Sequence, residues 1–174
     1  MSIRGVGNPQ TLERDQFSTL RKGDSLRFSQ PAFLTRLAPY AGTVLRIAMG
    51  VVFVAHGMQK FNNGVDGFAG FLTSLNVPMP GIMKWVVPIL EVGGGILLIL
   101  GLGTRLVALL LAVLMLFTTL MVKMDGGLIG EQGAGAEIDL MLLASGIALA
   151  LLGPGAASVD RVIGLEPRLA SVPG

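Results

Sequence analysis

Seven ionisable side chains lie within or beside apolar stretches of helix length, where they can bind a ligand or move a proton. They are Arg46, His56, Lys60, Glu91, Arg105, Glu137 and Asp139. A histidine near a carboxylate exchanges protons near neutral pH, and a lysine can hold an anion or polarise a quinone carbonyl group. Ionisable groups inside a membrane span are costly, so they normally face a bundle interior and are paired there. The set is therefore a candidate binding or proton-relay site, and no catalytic role is assigned within it.

The first apolar stretch carries three of these residues on one face. At about 100° per residue, Arg46, His56 and Lys60 fall within about a third of the helix circumference. Lipid is expected on the opposite side. Acidic residues on the other helices are expected to pair with these bases.

The helical rise of about 1.5 Å per residue gives the depth of each group. His56, Glu91 and Asp139 are expected at one level in the outer half of the bundle. Lys60 and Glu137 are expected at the rim above them, and Arg46 lies deeper, toward the cytoplasmic face.

A structural interpretation of this set competes with the functional one. The charges can simply neutralise one another and fix which helices touch. A metal site is not expected, because His56 is the sole histidine and all its companion ligands would have to be carboxylates. Arg46 and Arg105 are expected to reach phosphate headgroups more often than to bind a substrate.

Composition places the chain in a membrane. Of its 174 residues 52% are hydrophobic and only 14% charged, whereas about a quarter of an ordinary soluble domain is charged. This length accommodates about four spans of about twenty residues with tails. The sequence therefore predicts an all-α fold, an integral membrane four-helix bundle, with the lipid bilayer as its first partner.

Charge and cysteine content exclude several functions. Lys and Arg exceed Asp and Glu by only 2 and form no basic stripe, so nucleic acid is not an expected partner. The chain has no cysteine, which excludes disulfides, thiol relays and thiolate-held iron–sulfur clusters. A redox role would need a borrowed cofactor, because none is expected to be intrinsic.

The four predicted spans cover residues 40–61, 85–102, 106–122 and 140–157. The spacing of Phe68, Phe71, Leu72 and Leu75 predicts a short amphipathic interfacial helix between spans one and two. The turn before Arg105 makes spans two and three a tight hairpin. Span three has no charged residue and is expected to be mostly lipid-facing or structural. The predicted domains are an N-terminal tail (1–39), the four-helix domain (40–157) and a short polar C-terminal tail (158–174).

Basic residues beside the spans predict the orientation, because Lys and Arg favour the cytoplasmic side. The N-terminal tail carries six of them, and the second turn and the C-terminal tail carry Arg105, Arg161 and Arg168. The loops with Asp66, Asp125 and Glu131 fall on the other side. Both termini are therefore predicted to be cytoplasmic in a multi-pass protein of the inner, or plasma, membrane.

A series of motifs in order resembles the DoxX family of small four-helix membrane proteins over residues 44–160. The motifs are Arg46, His56-Gly57, Lys60, Glu91, Gly94-Gly95, Gly101, Thr104-Arg105, Glu137-x-Asp139, Gly153-Pro154-Gly155, Ser158 and Asp160. The resemblance implies a link to subunits of thiosulfate:quinone oxidoreductase. It also implies a likeness to membrane partners of detoxifying redox enzymes, with quinone as a ligand to consider.

Three functions follow as hypotheses. The first is a non-covalent membrane subunit of an oxidoreductase or respiratory assembly, offering anchorage and a quinone or proton site beside a protein partner. In that case the chain is at most a subunit of an enzyme. The second is a small proton-coupled or anion transporter, with His56, Glu91 and Asp139 as a relay toward Arg46. The third is a purely structural accessory subunit.

Overall fold

The structure is a computed structural model that describes residues 31–123, 128–129 and 135–165. Its helices are α1 (Ala32–Leu37), α2 (Ala41–Asn62), α3 (Val65–Ser74), α4 (Pro80–Leu100), α5 (Thr104–Thr118), α6 (Ala136–Leu152) and α7 (Val159–Val162). A single 3₁₀ turn (Ala38–Tyr40) precedes α2, and a π-helical turn (Thr119–Lys123) extends α5. These residues contain no strand, so the all-α prediction is confirmed. The predicted loop acids Asp125 and Glu131, and Arg168 of the C-terminal tail, lie outside the described residues.

Three helical stretches of the described chain are long and apolar enough to cross a membrane: Phe33–Asn62, Pro80–Leu100 and Thr104–Lys123. Helix α6 has 17 residues, which is about 26 Å at the usual helical rise. Spanning helices range from about 17 to 25 residues. At 17 residues, α6 lies at the lower limit of that range, so the fourth span stays a prediction. The other three helices are long and apolar enough without it.

Two helices begin earlier than predicted. Helix α4 starts at Pro80, because a proline in the first turn lacks only an N–H that has no helical partner there. Helix α6 starts at Ala136 and ends at Leu152, before Gly153 with φ of 87°. The short helix expected between the first two spans is present as α3. We call the end of the bundle near Asn62 and Ala136 the outer end, and the end near Ala41 and Leu152 the inner end.

The bundle is built from two helix pairs, α2 with α4 and α5 with α6. In the first pair Gly50 faces Gly95, and a Cβ added to Gly95 would lie 2.7 Å from the carbonyl oxygen of Gly50. Only glycine permits that approach of two backbones. The tight contact aligns α2 and α4 along their length, which positions side chains nearer the outer end.

The core crosses both pairs and involves α5 deeply. Phe53, Leu98, Leu111 and Leu149 are almost completely buried and belong to one cluster with Ala108. Two of these residues are on α5. Span three was expected to be mostly lipid-facing or structural. One of its faces forms part of the core, whereas another exposes Leu106, Leu109 and Val113.

The segment after α6 packs against the inner end. The carboxylate of Asp160 is buried and accepts hydrogen bonds from the backbone N–H groups of Gly103 (2.6 Å) and Thr104 (2.8 Å). These N–H groups lie at the start of α5, where helical donors lack partners. Residues 158–165 therefore pack against the inner end of the bundle and do not form a free polar tail there.

Candidate functional site

The first part of the site is an ion pair between α2 and α4. The Nζ atom of Lys60 lies 2.9 Å and 2.7 Å from the two carboxylate oxygens of Glu91. The Glu91 side chain is 4% exposed and that of Lys60 is 21% exposed. Gly57 makes room for it, because a Cβ there would lie 3.0 Å from the Cβ of Glu91. The predicted pairing of Lys60 with an acid on another helix is present.

The second part is an ion pair between the end of α5 and the first turn of α6. Lys123 donates to the Oδ1 atom of Asp139 at 2.8 Å, and the hydroxyl group of Thr118 donates to Oδ2 at 2.7 Å. Lys123 also donates to the carbonyl oxygen of Gly135. Both oxygens of the buried Asp139 carboxylate are therefore bonded.

These two ion pairs flank one cavity of about 200 Å³ near the outer end. Its walls are mostly apolar and include the rings of Phe53, Phe68, Phe71 and Phe117. Its polar lining residues are His56, Lys60, Glu91, Thr118, Lys123 and Asp139. An apolar cavity with a few converging polar groups is the usual form of a ligand site.

His56 lines this cavity but forms no ion pair among the described residues, unlike Lys60 and Lys123. Its backbone carbonyl oxygen accepts from Lys60, and its ring makes no hydrogen bond with the described residues. The charges of Lys60, Lys123 and Asp139 all act on it. The imidazole therefore stands among two cations and a carboxylate with its ring nitrogens available to a ligand or to water.

Glu137 is separate from this cavity. One of its carboxylate oxygens accepts from the backbone N–H of Gly135 at 3.2 Å, and the other is buried without a hydrogen-bond partner among the described residues. It does not line the cavity. The structure places it at the head of α6, as predicted, and Lys60 pairs with Glu91 instead.

Arg46 lies at the opposite end of the bundle. Its guanidinium group donates to the carbonyl oxygens of Leu98 (2.7 Å), Ile99 (2.6 Å) and Pro154 (2.9 Å), and to that of Ala157. The residue is 2% exposed. Its charge is thus satisfied inside the protein, where it ties the end of α4 to the segment after α6, and not at lipid headgroups.

Arg105 also binds carbonyl oxygens at the inner end. It donates to Ala150 at 2.7 Å and Leu151 at 2.9 Å, at the end of α6. Cations are stabilised there by the helix dipole. The seven predicted residues therefore divide into an outer group around the cavity, which contains His56, Lys60, Glu91 and Asp139; an inner pair that holds helix ends; and Glu137 apart.

Sequence reasoning missed Thr118 and Lys123. On an ordinary α-helix two residues five positions apart lie about 140° apart, so nothing indicated that both would reach Asp139. The turn over Thr119–Lys123 is π-helical, and its hydrogen bonds close over five residues. The available signal was weaker: Lys123 directly follows the third apolar span, and Glu137 and Asp139 lie at the start of the fourth.

Comparison with known proteins agrees with this architecture. The DoxX family model matches residues 41–124, and Putative oxidoreductase CatD of Bacillus subtilis is 34% identical over 124 residues, which are 71% of this chain and 83% of that protein. The chain belongs to the DoxX family. The matched DoxX region contains Arg46, His56, Lys60 and Glu91, whereas Asp139 lies beyond it.

Two further relatives of this DoxX protein come from Escherichia coli. Inner membrane protein YphA is 32% identical over 126 residues, covering 68% of this chain and 86% of that protein. Inner membrane protein YqjF is 31% identical over 126 residues, covering 69% and 89%. No solved structure matches the chain. The two Escherichia coli relatives are thus inner membrane proteins by name, and the Bacillus subtilis relative carries the name Putative oxidoreductase CatD.

Proposed function

We propose that this DoxX protein is a non-covalent membrane subunit of an oxidoreductase or respiratory assembly in the inner membrane, and that its outer cavity binds a quinone head group and exchanges protons with it. The observation that carries this proposal is the cavity itself: an apolar, aromatic chamber with His56 between two lysine–carboxylate pairs. The name of the Bacillus subtilis relative supports the oxidoreductase part.

The lining residues suit a quinone ring. Its flat apolar faces match the phenylalanine walls, and its two carbonyl oxygens match the ammonium groups of Lys60 and Lys123 on two sides of the cavity. Pockets for drug-sized ligands measure about 300–1,000 Å³. At about 200 Å³ the cavity accommodates one ring, and an isoprenoid tail would remain in the lipid.

A bound quinone supplies two-electron chemistry, since its reduction to quinol takes two electrons and two protons. The residues of this chain would perform the other tasks. Lys60 and Lys123 orient the oxygens, Phe53 and its neighbours exclude water, and His56 holds and passes protons at its ring nitrogens. The electrons would come from the redox partner protein of this proposal. The chain itself contains no cysteine for a thiol relay.

The transporter alternative has less support in this fold. A relay from His56 to Arg46 would have to pass Met49 and Phe53, which lie between them on α2 and are buried in the apolar core. Arg46 itself is fully engaged with backbone carbonyl oxygens. Nothing in the described residues connects the outer cavity with the inner end by polar groups.

The test is co-purification. The protein is extracted from its native membrane in mild detergent, and bound quinone and redox proteins are measured by mass spectrometry. Wild type is expected to carry quinone, Lys60→Met to carry much less, and Lys84→Met to match wild type. Lys84 is a suitable control because it forms an ion pair with the exposed Asp66 and does not line the cavity.

Two results would contradict the proposal. If wild-type protein yields neither quinone nor a redox partner, the oxidoreductase role loses its basis. If Lys60→Met and Lys84→Met retain equal quinone, the cavity is not the binding site, and the ion pairs only fix which helices touch.

A further inference from the structure

A second concavity, of about 360 Å³, lies at the outer end beside the cavity. We call it the vestibule; it is lined by Gln59, Asn63, Gly64 and Gly67, together with Lys60, Phe68 and Phe71. The last three also line the cavity. Because they border both spaces, they form the partition between them.

Within this partition the two phenylalanine rings make weak contacts with their neighbours, whereas Lys60 is fixed by its ion pair with Glu91. Phe68 and Phe71 stack with their centroids 6.4 Å apart, and the Nζ atom of Lys60 lies 5.6 Å from the centroid of the Phe68 ring. Phe71 is 49% exposed. Exposed side chains change rotamer within picoseconds to nanoseconds, so such a partition can open without unfolding a helix.

The helix that carries both rings is itself lightly attached. Among the residues of α3 only Leu72 is fully buried, and the Lys84–Asp66 ion pair that joins α3 to α4 is exposed on its carboxylate side. Gly64, directly before α3, has φ of 87°, a conformation that glycine adopts readily. The outer wall of the cavity therefore has few buried residues and an exposed ion pair, which are features of segments that open at low cost.

The chemistry of the vestibule favours certain molecules over others. Its polar groups are the amides of Gln59 and Asn63 and the ammonium group of Lys60, and no carboxylate lines it among the described residues. The amides offer donors and acceptors to a neutral solute. The ammonium group is paired with Glu91, but Glu91 does not line the vestibule, so the positive end of the pair borders it and favours an anion over a cation.

We propose that the vestibule is the access and selection site through which small neutral or anionic water-soluble molecules reach the cavity, with Phe68 and Phe71 as the movable part of its partition. That these molecules act inside the cavity rests on the proposed function, in which the cavity is a ligand site. Access itself does not depend on quinone and can be measured separately.

The absence of cysteine in the chain makes thiol labelling a direct test. Val122→Cys places one thiol in the cavity lining, Leu142→Cys serves as a second position there, and Asn63→Cys marks the vestibule. Full-length protein in sealed vesicles is treated on either side with membrane-impermeant methanethiosulfonate reagents. One reagent is a sulfonate and the other a trimethylammonium ion of similar size.

We expect the cavity thiols to react from the same side as Asn63→Cys. Once each rate is divided by the rate of the same reagent with a free thiol in solution, the sulfonate should react faster. A stacked aromatic pair shifts an equilibrium by about two- to tenfold. Adding Phe71→Ala should therefore accelerate labelling of Val122→Cys by about two- to tenfold. Trp85→Ala, which removes a similarly exposed aromatic side chain outside the partition, should leave the rate unchanged.

Three results would overturn the proposal: reaction only from the side opposite Asn63→Cys, equal effects of Phe71→Ala and Trp85→Ala, or faster reaction with the cationic reagent after the same division by the free-thiol rate. Failure of both cavity thiols to react while Asn63→Cys is labelled would also overturn it. None of these results alters the quinone content of the purified protein, so failure here is distinguishable from failure of the proposed function.

Discussion

The Nζ atom of Lys60 lies 2.7 Å from the Oε2 atom of Glu91, and this contact joins α2 to α4 at the edge of the cavity. The carboxylate is the more deeply buried partner, with 4% of its side chain exposed against 21% for the lysine. Losing the lysine would leave a buried charge unpaired, whereas an exposed pair can be broken at little cost. Lys60 and Lys84, whose partner Asp66 is exposed, should therefore respond very differently to the same substitution.

Lys60→Met is expected to lower the free energy of unfolding by about 2 kcal/mol. Breaking a fully buried ion pair costs about 3–5 kcal/mol, and the partial exposure of Lys60 reduces that value. Lys84→Met, which breaks an exposed pair, should cost no more than about 1 kcal/mol. Reversible unfolding of the purified protein in mixed micelles measures both, and equal losses would show that burial of Glu91 does not matter. The double variant Lys60→Met/Glu91→Gln should recover part of the loss, because no charge is left unpaired.

His56→Gln is expected to change ligand binding without changing stability. The ring makes no hydrogen bond with the described residues and the residue is exposed, so the free energy of unfolding should stay within about 0.5 kcal/mol of wild type. Histidine changes charge between about pH 5 and 8, and its cationic form donates from both nitrogens. Binding of a short-chain quinone should therefore weaken as pH rises through this range in wild type but not in His56→Gln. Calorimetric titration at several pH values measures this; the same pH dependence in both proteins would remove His56 from the site.

Arg46→Lys is expected to destabilise the inner end strongly, by about 3 kcal/mol or more, although it keeps the charge. An ammonium group cannot reproduce the planar fork that binds carbonyl oxygens of α4 and of the segment after α6 together. Hydrogen exchange should show loss of protection in residues 154–165 before the rest of the bundle. The labelling pattern of the vestibule at the outer end should remain as in wild type. If exchange rises first near Glu91 instead, the two ends are not independent.

Gly95→Ala and Gly93→Ala are a matched pair on α4. A Cβ at position 95 would lie 2.7 Å from the carbonyl oxygen of Gly50, whereas one at position 93 meets nothing within 4 Å. Gly95→Ala should therefore cost about 1–3 kcal/mol through overpacking, and Gly93→Ala should be neutral or stabilise by up to about 1 kcal/mol. Thermal unfolding of the two variants measures the difference. Similar midpoints would mean that α2 and α4 are not in this close contact.

The glycine pair also affects the site. Because Gly50 and Gly95 set the distance between α2 and α4, separating these helices would stretch the contact between Lys60 and Glu91 on the same two helices. Gly95→Ala should therefore lower quinone content together with stability, while Gly93→Ala leaves both intact. This coupling follows from the rigidity of a close-packed interface.

The sequence by itself determined the class of the protein and part of the site. So few charges together with long apolar runs indicate a membrane protein. In a bilayer, such runs form helices because a helix pairs its own backbone N–H and C=O groups. The cost of charge in lipid then required an acidic partner for Lys60, and Glu91 was one of three candidates beside Glu137 and Asp139. The short helix between the first two spans could also be predicted from the sequence, because its apolar residues recur at helical spacing.

Only the tertiary structure decided how the charged residues divide between the two ends and what completes the cavity. Helical spacing places Arg46 on the face of Lys60, but the carbonyl oxygens that hold it come from α4 and from a segment more than a hundred residues away along the chain. Lys123 reaches Asp139 because α5 ends in a π-helical turn, a local change of twist that residue types do not specify. Charge in lipid must be paired, which is a property of each residue; which partner it finds is a property of how the helices pack.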